Sequence, residues 1–148
     1  MPRLSAGIVL YRSTSGYPEV LLGHMGGPFW ERKDAGAWTI PKGEYDAGQD
    51  PFTAACREFE EEIGCRVPAT SFIDLGEVRQ SGGKGVRAWA AEGDLDPTIA
   101  VSNGFEMEWP PHSGMSQTFP ELDRVAWFDV QTGLVKIVSG QRDLLDRL

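Results

Sequence analysis

GEYDAGQDPFTAACREFEEEIGC, residues 43–65, is the stretch on which the reading of this chain turns. Asp50 followed by Pro51 marks a helix start, because Asp accepts from free N–H groups and Pro has none to leave unpaired. At about 100° per residue, Phe52, Ala55, Cys56, Phe59 and Ile63 share one side at the spacing of a buried stripe. Glu58, Glu61 and Glu62 fall together on the opposite side, and Gly64 supplies the residue that turns left-handed after a last helical turn. The predicted helix therefore runs from Pro51 to about Ile63.

That helix is electrostatically poor. Like charges three and four residues apart repel by a few tenths of a kcal/mol each, and acids near a helix C-terminus oppose its dipole. Helical propensity would be served equally by Lys or Gln, so a cation is expected on this face. Arg57, one turn before Glu61, does not neutralise Glu58, Glu60, Glu61 and Glu62 by itself. Clustered carboxylates without Cys or His are oxygen ligands for a hard ion, Mg²⁺ first and Mn²⁺ second. A solvated acidic face is the competing reading of the charge run alone.

The wider pattern favours the ion. Gly43, then Arg57-Glu58-Phe59-Glu60-Glu61-Glu62-Ile63-Gly64-Cys65 at this spacing, resembles the signature of the Nudix hydrolases: Gly, five residues, Glu, seven residues, Arg-Glu, an apolar residue, any residue, Glu-Glu, any residue, Gly, an apolar residue. One specified position departs, with Gln49 where the family has its first Glu. The resemblance implies an α+β Nudix fold, a mixed β-sheet sandwiched between helices (α/β/α). It implies that Glu58, Glu61 and Glu62 hold the metal together with the Gly43 carbonyl, and that Arg57 orients the glutamates or touches phosphate. The base is then one of Glu61, Glu62 and Glu121. Gln49 keeps the shape of Glu and one acceptor but loses the charge, which implies an enzyme weakened by about 10- to 100-fold in metal affinity or activity.

Length and composition set the frame. A chain of 148 residues fits one domain, 1–148, able to bury roughly two thirds of its unfolded surface. No apolar run approaches the ~20 residues of a membrane span, and the N-terminal apolar run lacks a small-residue cleavage site, so it reads as a first strand and not as a signal peptide. Cys56 and Cys65 are the only cysteines, which indicates neither disulfide nor zinc and fits a cytoplasmic setting. A net charge of −8 argues against polymeric nucleic acid or an anionic membrane as partner. It leaves room for a small nucleotide, since a bound divalent ion and a few local Lys or Arg invert the field within one cleft. Either a monomer or a homodimer is compatible with this composition.

Along the chain, runs 5–11 and 19–23 flank the polar cluster Ser13-Thr14-Ser15-Gly16-Tyr17-Pro18 and predict an antiparallel hairpin. His24 follows in a Gly-rich context of loop character, where a structural or incidental role is expected. Trp38-Thr39-Ile40 is a short strand broken by Pro41. The run Trp38-Thr39-Ile40-Pro41-Lys42-Gly43 is similar to the segment before the signature in the Nudix branch acting on diadenosine polyphosphates. That similarity makes Lys42 a candidate substrate-phosphate contact, against a solvated Lys.

Runs 72–80 and 86–92 around Ser81-Gly82-Gly83-Lys84-Gly85 predict a second hairpin, with Trp89 in the core. Residues 94–103 read as a connector and 105–109 as a half-buried strand carrying Glu106 and Glu108; His112 lies in the turn-rich loop that follows. Phe119-Pro120-Glu121 precedes an apolar strand, 125–128, in a pattern similar to diadenosine tetraphosphate hydrolases, which makes Glu121 the candidate acid from outside the helix and Glu106 and Glu108 its competitors. Residues 130–139 and 142–148 are expected to be mostly helical. The reading is a divalent-metal-dependent hydrolase cutting a phosphoanhydride in a nucleoside diphosphate linked to another group, with diadenosine polyphosphates or nucleoside triphosphates leading. A catalytically weak, nucleotide-binding sensor is the alternative.

Overall fold

The computed structural model describes residues 3–14 and 16–148. Strands β1 (Leu4–Thr14) and β2 (Tyr17–Met25) form the expected antiparallel hairpin, with Thr14 opposite Tyr17. Within the polar cluster at its turn, Ser15 lies outside the described residues. β3 (Trp38–Thr39) pairs with β2, and β4 (Lys42–Glu44) pairs with the start of β1. Helix α1 (Pro51–Ile63) follows, then the hairpin β5 (Phe72–Arg79) and β6 (Gly85–Glu92). β7 (Gly104–Glu108) and β8 (Ser116–Pro120) make a separate two-stranded ribbon. β9 (Leu122–Asp129) returns to pair with β2, ahead of α2 (Val130–Lys136) and α3 (Arg142–Asp146).

The main sheet runs β3-β2-β1-β6-β5, with β4 on β1 and β9 on β2. All its pairings are antiparallel except β1 with β6, so the sheet is mixed. Alternation along β1 and β2 serves two cores, as a pleated strand requires. Ala6, Ile8, Leu10 and Leu21 pack with Ala54, Ala55, Phe59 and Ile63 of α1. Val9, Val20 and Leu22 pack with Ile137, Leu144 and Leu145 on the other face. This is the helix–sheet–helix sandwich that the signature implied. Phe52 extends the α1 side by edge contacts to Phe72 at 4.8 Å and Trp89 at 5.3 Å, and Trp89 is core as expected.

Helix α1 begins and ends where its capping residues predict. Asp50 Oδ2 accepts from the Thr53 amide at 3.0 Å, and Gly64 adopts φ 90° while its N–H bonds to the Glu60 carbonyl. Elsewhere the structure corrects the sequence reading. His24 belongs to β2, not to a loop, because pairing with β3 and β9 on either side extends the strand through its Gly-rich end. The ring is fully buried, with Nδ1 3.0 Å from Asp123 and Nε2 2.7 Å from the Lys33 carbonyl, a structural role. Residues 116–120 form a strand that the sequence reading did not assign. The helix predicted over 130–139 stops at Lys136, and Ile137 bridges to Trp38. Cys56 and Cys65 are free, and no helix among the described residues is long and apolar enough to cross a membrane.

Candidate active site

The site forms where β4 meets the acidic face of α1. Pairing of Gly7 with Lys42 and of Ala6 with Gly43 sets β4 beside the helix. The Lys42 amide then donates to Glu62 Oε2 at 3.0 Å. Glu62, read from the sequence as part of an outward acidic face, is in fact buried, with 7% exposure. Sequence periodicity places it correctly on the helix cylinder but does not reveal the strand laid over it. At Gly43 an added Cβ would lie 2.1 Å from the Glu58 carboxyl carbon, so glycine leaves the space in which that carboxylate sits.

Glu121 reaches the same place from the far side of the fold. Its amide donates to the Asn103 carbonyl, its carbonyl accepts from Gly26, and the Asn103 amide donates to the Glu61 carbonyl, each at 2.9 Å. The two bonds through Asn103 tie the segment after β8 to the last turn of α1, and the third ties it to the end of β2. The resulting cleft, about 460 Å³, is lined by Lys42, Gly43, Glu58, Glu61, Glu62 and Glu121. Every predicted site residue except Arg57 lines it. Glu106 and Glu108 do not, because the ribbon carries them away along β7. Arg57 stands at its edge, 3.3 Å from Glu58 Oε1 and 3.9 Å from Glu61 Oε1. Four further lining residues escaped the sequence reading: Ser5, Glu44, Lys84 and Asn103. Lys84 sits in a glycine turn with no local mark of function, and only the parallel pairing of β1 with β6 brings it here.

Gln49 has a local task. Its side-chain oxygen accepts from the Asp46 amide at 2.9 Å, and it lines a neighbouring cavity of about 750 Å³ with Arg57 and Tyr45. It does not line the cleft that holds the carboxylates.

The electrostatics are those of a site short of positive charge. Burial pushes the Glu62 carboxyl up to about 8, only partly offset by the Lys42 amide. Burial and then repulsion from Glu61 raise Glu58 against the pull of Arg57. Burial and then repulsion from Lys84 lower the Lys42 ammonium. Among the described residues no three His, Cys, Asp or Glu side chains already converge as a metal nest; the carboxylates surround the cleft without meeting at a point. The donor set nonetheless fits a hard divalent ion, being all oxygen, with Glu58 and Glu62 raised in proton affinity and room left at Gly43.

Glu62 gives a testable pH dependence. Its folded pKa lies above the ordinary carboxylate value, so between that value and about 8 the folded chain holds a proton the unfolded chain releases. Stability then falls as pH rises through this window. Without divalent ions, the melting temperature is expected to drop by about 3 °C or more from about pH 5 to about pH 8, and Glu62→Gln to flatten the slope. Thermal melts in EDTA read it, and an unchanged slope in the variant would show that Glu62 is not its source.

The NUDIX domain model matches residues 1–148. The chain is 32% identical over 158 aligned positions to the RNA pyrophosphohydrolase of Rhodospirillum rubrum, an alignment covering 99% of this chain and 90% of that protein. It is 34% identical over 113 residues to an octanoyltransferase of Myxococcus xanthus, where the match takes in 76% of this chain and 28% of that protein; the chain thus spans well under a third of that relative's length. Among solved structures, a C. elegans Ap4A hydrolase binary complex superposes with a TM-score of 0.66 at 24% identity, covering 97% and 93% of the two chains. The NUDIX domain of Shewanella oneidensis NrtR, complexed with ADP ribose, gives 0.65 at 16% identity, covering 99% and 86%. At these identities the likeness is one of fold, and it extends beyond the Ap4A hydrolases.

Proposed function

We propose that this chain, which belongs to the NUDIX domain family, is a divalent-metal-dependent pyrophosphohydrolase acting on nucleotide phosphoanhydrides, with diadenosine polyphosphates or nucleoside triphosphates as leading substrates. The observation carrying this reading is one cleft that faces Glu58, Glu61, Glu62 and Glu121 toward Lys42, carboxylates for cations beside a cation for phosphate.

When bound, Mg²⁺ or Mn²⁺ would neutralise phosphate charge and ease deprotonation of water. Glu58, Glu61 and Glu62, with the Gly43 carbonyl, would hold it. Lys42 contacts a phosphate oxygen, and its partial burial strengthens that contact by excluding competing water. Arg57 spans Glu58 and Glu61 and holds both in orientation. Glu62 is fixed by the Lys42 amide, so the proton of the attacking water passes to Glu61 or Glu121, of which Glu121 is exposed.

The test is turnover with Mg²⁺ or Mn²⁺ over dinucleoside polyphosphates, nucleoside triphosphates, nucleotide sugars and 5′-triphosphorylated RNA. Metal-dependent hydrolysis of the first two groups is expected to lead. The RNA arm is included because of the Rhodospirillum relative, and it is expected to trail, since the net charge of −8 opposes a polyanion beyond its first phosphates. Nucleotide binding without turnover on any arm would overturn the enzyme in favour of a sensor.

A further inference from the structure

Ser5 is 1% exposed, and its Oγ has no hydrogen-bond partner among the described residues. An unpaired buried hydroxyl is costly and uncommon, and this one lines the cleft. Strand register shows what surrounds it. Ser5 lies opposite Glu44 on β4 and opposite Val86 on β6, and directly opposed residues share a face of the sheet. Lys84, two residues before Val86, reaches Glu44 Oε1 at 3.5 Å, so an ion pair between half-exposed side chains spans the sheet at Ser5.

Cations gather beside this hydroxyl. Arg3 meets the same Glu44 oxygen at 3.4 Å, so one carboxylate is shared by two cations. Lys42 adds a second cation to the wall that carries Lys84, and no ion pair within the described residues engages it. In a chain of net charge −8, Lys42 and Lys84 are the two cations that line the cleft, set around Glu44 and directly beside the other carboxylates, while Arg3 lines the neighbouring cavity. Two ammonium groups and a free hydroxyl donor are the groups that recognise a phosphate dianion, and an exposed ion pair of the Lys84–Glu44 kind is weak enough to exchange for one.

We propose that Ser5, Lys84 and Lys42 form a subsite for a phosphate lying beyond the scissile linkage, so that the cleft selects chains of three or more phosphates over diphosphates. This rests on reading the cleft as a phosphoanhydride site, and it makes Ser5 and Lys84 residues of substrate length specificity.

Isothermal titration with inorganic tripolyphosphate and with pyrophosphate, both in Mg²⁺, tests the subsite without requiring turnover. The native protein is expected to bind tripolyphosphate about tenfold more tightly than pyrophosphate, the worth of one charge-assisted phosphate contact. Ser5→Ala and Lys84→Gln should each remove most of that preference and change pyrophosphate binding by less than about twofold. Removing an unpaired buried hydroxyl relieves the fold, so Ser5→Ala should melt at or above the native temperature; a merely structural Ser5 would lower it. Equal affinities in the native protein, equal losses for both ligands in the variants, or destabilisation by Ser5→Ala would overturn the subsite, whatever the protein hydrolyses. Preferential tripolyphosphate binding without turnover would leave the subsite standing and overturn the hydrolase reading, so the two fail separately.

Discussion

Glu61→Gln is expected to lower metal-dependent kcat by about 10²- to 10⁴-fold, the range lost with a general base, while leaving the fold intact. Glu61 lines the cleft, and its backbone carbonyl holds the Asn103 amide that anchors the Glu121 segment. Gln preserves the backbone, the side-chain shape and one acceptor, so that anchor survives. What is lost is one negative charge from a group in which Glu61 repels Glu58. Like charges at this spacing cost a few tenths of a kcal/mol, so the variant should melt no lower than the native protein in EDTA. It should also need more Mn²⁺ for half-maximal activity. A variant with native turnover and a native metal requirement would remove Glu61 from both roles. A variant with lowered melting temperature and an unchanged metal requirement would make it structural.

How much of this was legible in the sequence differs by element, for physical reasons. Helix α1 was read to within a residue because its signals are local: an Asp cap, a Pro with no amide to leave unpaired, an apolar stripe, a left-handed Gly. The sandwich was legible through the signature, and the continuous buried runs of β1 and β2, which face a core on either side, agree with it. The ribbon strand β8 was not, since Ser116–Pro120 pairs only with β7 and is mostly exposed, leaving no apolar alternation to see. His24 was misplaced because its strand partners, β3 and β9, lie far along the chain. Glu62 is the instructive case within the site. Its charge and its place opposite the apolar stripe marked it as a ligand on the acidic face, but its burial depends on Lys42–Glu44 turning back over the helix. Glu121 was reached through resemblance, and the hydrogen bonds through Asn103 account for why a residue so distant in sequence arrives at α1. Ser5 and Lys84 carried no local sign, because the parallel pairing that gathers them joins strands 81 residues apart in sequence, Leu4 lying opposite Gly85.

Gly43→Ala is expected to produce a folded protein that has lost about 100-fold or more in metal-dependent activity, comparable to or beyond the loss from removing a supporting contact of a metal ligand. Gly43 sits in extended β4 and is not among the glycines with positive φ, so Ala meets no backbone penalty there. Its Cβ would instead lie 2.1 to 2.5 Å from the three carboxyl atoms of Glu58, and something must move. The atoms in the way are the far end of a flexible side chain, which rotates out at small cost. The stability change should therefore be within about 1 kcal/mol, the scale of one off-rotamer side chain. Activity should fall much further, because the displaced group is a proposed ligand. Gly7→Ala, one strand away, supplies the contrast. There the new Cβ would stand 2.6 Å from the Pro41 carbonyl oxygen and 2.9 Å from Ile40 Cδ1, backbone and buried core that cannot rotate aside. That variant should lose stability, by about 1 to 3 kcal/mol as in other overpacked cores. Melting curves and Mg²⁺ titrations of activity on both variants separate the cases: Gly43→Ala melting with the native protein but needing far more Mg²⁺, Gly7→Ala melting early. If Gly43→Ala keeps native activity, Glu58 does not need the position it occupies, and the glycine serves the close packing of β4 on the helix instead of the metal.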